Sequence, residues 1–374
     1  MAPIHLLSIF VAFLASASAS CLSLPPRTEN TLVLVHTLFR HGNRTIEDNI
    51  YPTNPYGNES FYAPYGYYQL TKEGRKTEFK IGAALRERYG SFLGSEYNIN
   101  LIDARSTVAN RTKMSMLLVL ASLFPPTGEL VWNEDLLWQP IPYNTFDNDK
   151  ELYGRKVCSN YKKAYKKLIK TDAVLEQLEP YQEMFDYVSE HSGLEIQKAK
   201  KASDLYVELL TQAAYGYPLE DWFYTYEKEM LRITMLSYRL MAGTTKLKRL
   251  STGYFLRKVI EDTEIRIVNP HSPTKLYLYS AHEKNIANLL VTLDLFDDAL
   301  PAFGSYIIIE VHLIDGVYGF KFFYQNYKEA EPVLLTIPGC ADFCPVETFK
   351  GIVSDFLPED SYCELASADA SSDD

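Results

Sequence analysis

The first predicted strand of the chain leaves little choice of fold. Residues Thr31 to Phe39 read TLVLVHTLF, a run that is apolar at nearly every position and rich in Val and Leu. A strand of this composition is buried on both faces, so its sheet must be covered by helices on both sides. Helical periodicity follows from Thr71 to about Gly90 and again from about Val108 to Phe124, with a short strand between the two. This alternation predicts an α/β fold with a central sheet flanked by helices.

The middle of the chain has a different pattern. Residues 148–253 are rich in Lys, Glu, Leu and Tyr, repeat with helical periodicity and contain no convincing strand, which predicts an α-helical cap inserted into the core. Strands resume beyond it, and the dipeptide Asp315-Gly316 between two apolar runs is a strong hairpin signal. The elements predicted after the cap are strands at Thr263–Val268, Lys275–Tyr279, Ser305–Ile314 and Val317–Tyr324 and a helix from about Asn285 to Leu293.

Both ends of the chain carry segments that we expect to lie outside the core. Residues Leu6 to Ala15 form an apolar run too short to span a bilayer, and a string of small residues up to Ser20 follows it. This pattern predicts a secretory signal peptide at residues 1–20, cleaved between Ala17 and Ser20; a first strand or helix of the fold is the alternative. The α/β core is then expected at residues 21–147 and 254–364, on either side of the cap, with a disordered acidic tail at 365–374.

Cysteine usage fits the secretory route. Cys158, Cys340, Cys344 and Cys363 permit three pairings. Cys340 and Cys344 lie in a loop with glycine and proline that a local bridge could close, which leaves Cys158 and Cys363 to pair by elimination. Cys21 lies at the predicted cleavage boundary, where it is either a leftover thiol or an intermolecular partner.

The net charge and the hydropathy of the sequence exclude some classes of partner. The net charge of −11 and a pI near 5.3 argue against a general binder of nucleic acid or of anionic membranes. Beyond the signal, no run of about eighteen apolar residues predicts a membrane anchor. Three N-glycosylation sequons occur, and we expect a glycan only at Asn58, because the other two contain arginines that we assign below to a pocket.

The residues that carry chemistry follow the ends of predicted strands. The first strand runs directly into Arg40-His41-Gly42-Asn43-Arg44, and ligands bind at the carboxyl ends of strands in open α/β sheets. Guanidinium groups match phosphate oxygens, and their charge would lower the pKa of His41 and keep its imidazole neutral and nucleophilic. Arg111 opens the second helix, and His282-Glu283 follows another buried strand. The pattern indicates a phosphate site with a covalent histidine; a solvated strand end with surface salt bridges is the alternative.

Four segments together resemble the histidine acid phosphatases. They are RHGxR at 40–44, RSTxxxRT at 105–112, LWQPIP at 137–142 and YSAH at 279–282. The resemblance covers roughly Thr31 to Cys363 and looks closest to the secreted animal prostatic and lysosomal type, while the His-Glu pair is similar to insect venom acid phosphatases. It implies a phosphoglycerate-mutase-like central sheet and hydrolysis of phosphomonoesters.

The same resemblance implies a role for each residue of the site. His41 would attack phosphorus and form a phosphohistidine, and Glu283 would protonate the leaving alkoxide. The substrate phosphate would be held by Arg40, Arg44, Arg111 and His282. Arg105 matches the family segment but is expected outside the pocket. No metal and no organic cofactor are expected, since the arginines supply the charge stabilisation.

Several alternatives stay open on the sequence alone. Ser280-x-x-Glu283 also fits a helix capping box, in which Glu283 would bond to backbone. The protein could be a noncatalytic secreted binder of anionic ligands, whereas a cytosolic mutase-like transferase is disfavoured by the signal and the cysteines. If Glu283 must be protonated to act, activity should fall as pH rises beyond about 4 to 6. The expected partner is a small-molecule phosphomonoester, and a homodimer is left open.

Overall fold

The fold is built on one mixed sheet of seven strands. The computed structural model describes residues 31–365, so the predicted signal peptide and all but the first residue of the predicted tail lie outside the described residues. The strands are β1 (Leu32–Arg40), β2 (Ile102–Ser106), β3 (Leu276–Ala281), β4 (Tyr306–Ile314), β5 (Val317–Gln325), β6 (Val333–Leu335) and β7 (Cys344–Pro345). Their order across the sheet is β2-β3-β1-β4-β5-β6, with β7 also paired to β5.

Helices cover this sheet and fill the middle of the chain. They are α1 (Lys72–Leu93), α2 (Asn110–Leu123), α3 (Lys150–Val157), α4 (Ser159–Leu168), α5 (Asp172–Leu178), α6 (Gln182–Ser192), α7 (Ala199–Tyr215), α8 (Asp221–Thr225), α9 (Glu227–Met241), α10 (Thr245–Lys248), α11 (Tyr254–Val268), α12 (Glu283–Thr292) and α13 (Val346–Val353). None of the helices within residues 31–365 is both long enough and apolar enough to cross a bilayer.

Strand β1 lies at the centre of the sheet and is buried on both faces. Leu34 and Leu38 pack into a core with α9, α11 and α12, whereas Val35 and Phe39 pack into a second core with α1 and α2. β1 and β2 both run parallel to β3, and β1 runs antiparallel to β4. The predicted α/β class, with helices on both sides of the sheet, is confirmed. Because β1, β2 and β3 are parallel, their carboxyl ends share one edge of the sheet.

Helix α1 agrees with its prediction in type but not in its end. Thr71 caps it, since the Thr71 hydroxyl accepts a hydrogen bond from the Gly74 N–H at 3.2 Å. The helix then continues through Gly90, which we expected to end it, and terminates at Gly94. Phe79, one of the apolar residues that suggested the helix, has 50% of its surface exposed.

The strand predicted at Thr263–Val268 is wrong, because these residues form the last turns of α11. The alternation of polar and apolar residues there suggested a strand. In the structure Thr263 and Arg266 are buried, as expected for one face of a helix, while Ile265 and Val268 are 56% and 86% exposed. Exposed apolar side chains thus produced a false strand pattern.

The hairpin predicted at Asp315-Gly316 is confirmed between β4 and β5, and both turn residues have positive φ, at 49° and 80°.

Residues 148–253, all of them described, contain helices α3 to α10 and none of the strands. Several of these helices share an apolar cluster of their own, which includes Phe185 and Leu209. Helix α9 also contributes Tyr238 to the core on one face of the sheet. The helical character predicted for this segment is confirmed, while its bounds as an inserted cap stay a prediction.

Two disulfides are present in the structure, with the pairing predicted from the sequence. Cys158, between α3 and α4, is bonded to Cys363 near the end of the described chain, with 205 residues of sequence separation. Cys340 is bonded to Cys344 and closes the loop before β7. The long bridge restricts the unfolded chain more than the short one does.

Candidate active site

The candidate active site lies where the parallel strands end side by side. Arg40 is the last residue of β1, and His282 directly follows β3. The two ends are held together by the His41 N–H, which donates to the Ala281 carbonyl at 3.1 Å. Arg111 enters the same space from the first turn of α2. The structure therefore brings together segments that are far apart in the sequence and that we predicted to meet.

The tight turn after His41 depends on glycine. Gly42 lies against Gly74 of α1, and a Cβ atom on Gly42 would collide with the Gly74 backbone. The Gly42 N–H donates to the Ser115 hydroxyl of α2 at 3.4 Å. Both flanking helices thus fix the turn that carries the histidine.

His41 is held as a single neutral tautomer. Its Nδ1 lies 2.9 Å from the Gly42 carbonyl oxygen, which can only accept, so Nδ1 carries the proton. Its Nε2 lies 3.1 Å from Nε of Arg111, which can only donate, so Nε2 carries the lone pair. Nε2 is therefore the nitrogen that is able to act as a nucleophile.

Burial and neighbouring arginines oppose protonation of both histidines. Burial is the larger cause that holds the pKa of His41 well below its usual value, and Arg111 and Arg40 lower this pKa further. Burial and then Arg111 likewise lower the pKa of His282 well below its usual value. The lowered pKa of His41 agrees with the predicted neutral state, with burial contributing more than the arginines from which we predicted it.

Glu283 faces Arg40 and not the backbone of its own helix. Its Oε2 lies 3.5 Å from Nε of Arg40, and both side chains are buried. The N-cap of α12 is His282, whose N–H bonds to Oδ1 of Asn285 at 3.3 Å. Ser280 still belongs to β3 and donates its hydroxyl to a carbonyl of α2. The capping box that we considered for Ser280 and Glu283 is therefore wrong.

The charge of Glu283 is set by its cationic neighbours. Burial alone would raise its pKa, but Arg40, Lys284 and His41 outweigh burial and hold the pKa well below its usual value. Lys284 is in turn paired with Asp204 of α7 at 3.1 Å. The lowered pKa favours the carboxylate form of Glu283, whereas we had expected Glu283 to hold a proton.

Arg40 is fixed from two further sides. Its Nη1 donates to the Pro301 carbonyl at 2.6 Å, and its guanidinium carbon lies 3.9 Å from the centre of the Phe303 ring. The Phe303 ring also lies 6.0 Å from that of His41, between centroids. The loop before β4 thus supplies an apolar wall to the pocket.

Arg44 is buried and paired with a carboxylate that we did not predict. It forms a bidentate pair with Glu208, in which Nη1 donates to Oε2 at 3.1 Å and Nη2 donates to Oε1. Burial alone would lower the pKa of Arg44, but Glu208 and then Glu47 raise it above its usual value. Glu208 lies on α7, far along the chain. Its spacing of four from Asp204 places both carboxylates on one face of a helix, but nothing in the sequence tells what that face meets.

Two further residues that we did not predict, Glu47 and Tyr153, contact the arginines and His282. Glu47 lies between the two arginines: its Oε1 is 3.4 Å from Nη2 of Arg44 and 3.5 Å from Nη2 of Arg111. His282 Nε2 lies 3.3 Å from the hydroxyl of Tyr153 on α3. The Thr107 hydroxyl, which belongs to the RST segment, lies 3.1 Å from the same nitrogen.

Arg105 lies outside this pocket. It pairs with Asp149 at 3.1 Å and with Glu151. These three residues line a separate cavity of about 600 Å³, and none of the pocket residues named above lines that cavity. The structure thus places Arg105 away from His41, as we expected.

The arrangement has the parts of a phosphoryl-transfer site: a nucleophilic nitrogen, guanidinium groups around it and a carboxyl group beside it. The model of the histidine phosphatase superfamily (branch 2) matches residues 31–316 of the chain. The chain belongs to this family.

Individual relatives show which members of the family the chain is similar to. Prostatic acid phosphatase of Rattus norvegicus is 32% identical over 369 residues, covering 96% of this chain and 95% of that protein. A venom acid phosphatase of Apis mellifera is also 32% identical and covers 90% of this chain and 89% of its own length. Lysosomal acid phosphatase of Homo sapiens is 30% identical, covering 93% of this chain and 84% of its own. The predicted resemblance to acid phosphatases is confirmed, and family membership supports a phosphatase function.

Solved structures agree on the fold. The phytase of Klebsiella sp. ASR1 superposes with a TM-score of 0.66 at 14% identity and covers 89% of this chain and 99% of its own. The apo form of Hafnia alvei phytase gives a TM-score of 0.63 at 18% identity, covering 90% of this chain and 98% of its own. At these identities the likeness shows a shared fold.

The pair between Arg44 and Glu208 yields a test of the contact between α7 and the pocket. Glu208→Gln leaves the buried Arg44 without its carboxylate, so we expect the free energy of unfolding to fall by about 3 kcal/mol. Displacement of Arg44 should also lower kcat/KM for a phosphomonoester by about 10- to 100-fold. Denaturant titration and steady-state kinetics measure the two effects. Glu190→Gln, at an exposed position of α6, removes the same charge and should change neither; equal behaviour of the two variants would contradict the assignment.

Proposed function

We propose that the protein is a secreted acid phosphatase that hydrolyses phosphomonoesters through a phosphohistidine on His41. The observation that carries this proposal is the tautomer of His41, whose Nε2 lone pair faces Arg111 in a buried pocket. The acid phosphatases among its relatives support the same activity.

In the first step, the substrate phosphate displaces Nε of Arg111 from its hydrogen bond with Nε2 of His41. Arg40, Arg44, Arg111 and His282 bind the nonbridging oxygens. Nε2 of His41 then forms a bond to phosphorus as the bond to the ester oxygen breaks. The guanidinium groups stabilise the charge on the transferring phosphoryl group.

Glu283 gives a proton to the departing alkoxide, and the source of that proton is the substrate. Although burial raises the pKa of Glu283, Arg40 and Lys284 lower it well below its usual value and favour the carboxylate, so Glu283 must first receive a proton. A phosphomonoester has a second pKa of about 6, so at acid pH it arrives as a monoanion that carries one proton. That proton passes from the phosphate to Glu283 and then to the ester oxygen.

The second step returns the enzyme to its starting state. Glu283, again a carboxylate, removes a proton from a water molecule, which attacks phosphorus as the bond to Nε2 breaks. That proton passes from Glu283 to a phosphate oxygen, so orthophosphate leaves as H2PO4⁻, Glu283 is a carboxylate again, and His41 recovers the lone pair on Nε2.

Secretion is part of the proposal. The apolar segment at Leu6–Ala15 and the two disulfides support an oxidising, extracellular destination. Asn58 is exposed at the start of a short 3₁₀ helix, which leaves room for the proposed glycan. Relatives include both venom and lysosomal enzymes.

The nucleophile is tested by His41→Ala, which removes the nitrogen that accepts the phosphoryl group in the proposed first step. Hydrolysis of a chromogenic phosphomonoester should fall by about 10³-fold or more. His271→Ala, at an exposed position, is the matched control and should keep full activity, and EDTA should leave the wild type unaffected. A wild-type protein that binds orthophosphate but releases none from a panel of monoesters would point to the noncatalytic alternative.

The proton source is tested by the alkaline limb of the pH profile. If the substrate monoanion delivers the proton, kcat/KM falls as pH rises through the second pKa of the substrate, about 6, because the dianion brings no proton. Esters with a lower second pKa should then lose activity at a correspondingly lower pH. Stopped assays on a series of esters between pH 4 and 8 measure these limbs. A limb at the same pH for every ester would instead place the titrating group on the enzyme.

A further inference from the structure

Glu47 holds an unusual position among the charges of the pocket. One oxygen of its carboxylate lies 3.4 Å from Arg44 and 3.5 Å from Arg111, so it bridges two of the proposed phosphate ligands. The arginines are thus occupied by an anion of the protein itself. A phosphate oxygen placed between them would compete for the same Nη2 atoms.

The arginines of the pocket are balanced by carboxylates of the protein itself. The three arginines face three carboxylates: Glu283 beside Arg40, Glu208 beside Arg44, and Glu47 between Arg44 and Arg111. A phosphate group brings a further negative charge into this set. Repulsion between anions at such short range favours the departure of one carboxylate when phosphate binds.

Burial and bonding decide which carboxylate can leave. The side chains of Glu208 and Glu283 are 6% and 12% exposed, whereas that of Glu47 is 43% exposed. Glu208 is also held by its bidentate pair and accepts a hydrogen bond from the Glu47 N–H at 3.0 Å. Glu47 is therefore the carboxylate that can turn out into water at little cost.

We propose that Glu47 is a resident anion that binds Arg44 and Arg111 and is displaced when phosphate binds. This inference rests on the proposed role of the two arginines as phosphate ligands. Phosphate binding breaks the contacts of Glu47 with Arg44 and Arg111, so Glu47 weakens the affinity for substrate and for orthophosphate alike. Its return to the arginines favours release of the product.

The direction in which Glu47→Gln changes the affinity for phosphate separates this role from a positioning role. In Glu47→Gln the competing charge is absent, so orthophosphate should bind about fivefold more tightly, in line with the small free energy of partly exposed ion pairs. KM for a phosphomonoester should fall by a similar factor. If Glu47 instead positioned Arg111, the same change would weaken binding and raise KM.

The experiment is calorimetric titration of the full-length protein with orthophosphate at pH 5 and constant ionic strength. Asp48→Asn is the matched control: it removes an equal charge from the neighbouring exposed residue, whose carboxylate bonds to the Asn49 N–H, and it should bind orthophosphate as the wild type does. Glu47→Ala repeats the charge removal with a different side chain, and a thermal melt shows that each variant is folded. Unchanged or weaker binding in folded Glu47→Gln and Glu47→Ala would overturn the inference.

The titration does not depend on catalysis, so the two proposals can fail separately. Tighter orthophosphate binding by Glu47→Gln in a protein that hydrolyses no monoester would leave the resident anion standing and refute the phosphatase. Hydrolysis by the wild type, with equal binding by wild type and variant, would leave the phosphatase standing and refute the resident anion.

Discussion

Nε of Arg111 donates a hydrogen bond to Nε2 of His41, and because a guanidinium group cannot accept one, this contact requires a lone pair on that nitrogen. The Gly42 carbonyl fixes the proton on the opposite nitrogen. Much of the fold serves to make this contact: β1 delivers the histidine, the close approach of Gly42 to α1 turns the chain, and the first turn of α2 supplies the arginine. Burial then adds to the arginine charge, so that a proton on Nε2 would cost both solvation and electrostatic free energy.

Charge balance explains how so many buried arginines are tolerated in one place. Each of them meets a carboxylate, and these come from different parts of the chain: Glu283 follows β3, Glu47 lies in the loop after the first strand, and Glu208 belongs to α7. Helix α7 also reaches the site through Asp204, which holds Lys284 beside Glu283. The helical segment between the two halves of the sheet is therefore part of the electrostatics of the pocket. The positive charge of the predicted arginines is thus largely balanced by carboxylates of the protein itself.

The sequence was informative where chemistry and local pattern coincide. A strand apolar at nearly every position indicated a central strand, so His41 after its end was expected at the edge of the sheet where strands end. Asp315-Gly316 indicated a hairpin turn, and both residues have the positive φ that such a turn needs. The contact between Glu208 and Arg44 could not be predicted, because it depends on how α7 packs against the rest of the fold. The false strand at Thr263–Val268 arose because two apolar residues of α11 face solvent. The lowered pKa of Glu283 could not be foreseen either, because it depends on the distances from Glu283 to Arg40 and Lys284.

The protonation state of His41 is the property on which nucleophilic attack depends, and it can be measured directly. Nitrogen-15 NMR of the folded, histidine-labelled protein, with the resonance assigned by its absence from His41→Ala, reports the two ring nitrogens separately. At pH 5 we expect Nδ1 to be protonated and Nε2 to be unprotonated, whereas histidines of the urea-unfolded chain titrate near a pKa of about 6.5. Two protonated nitrogens on His41 at pH 5 in the folded protein would contradict a nucleophile kept neutral by burial and by Arg111.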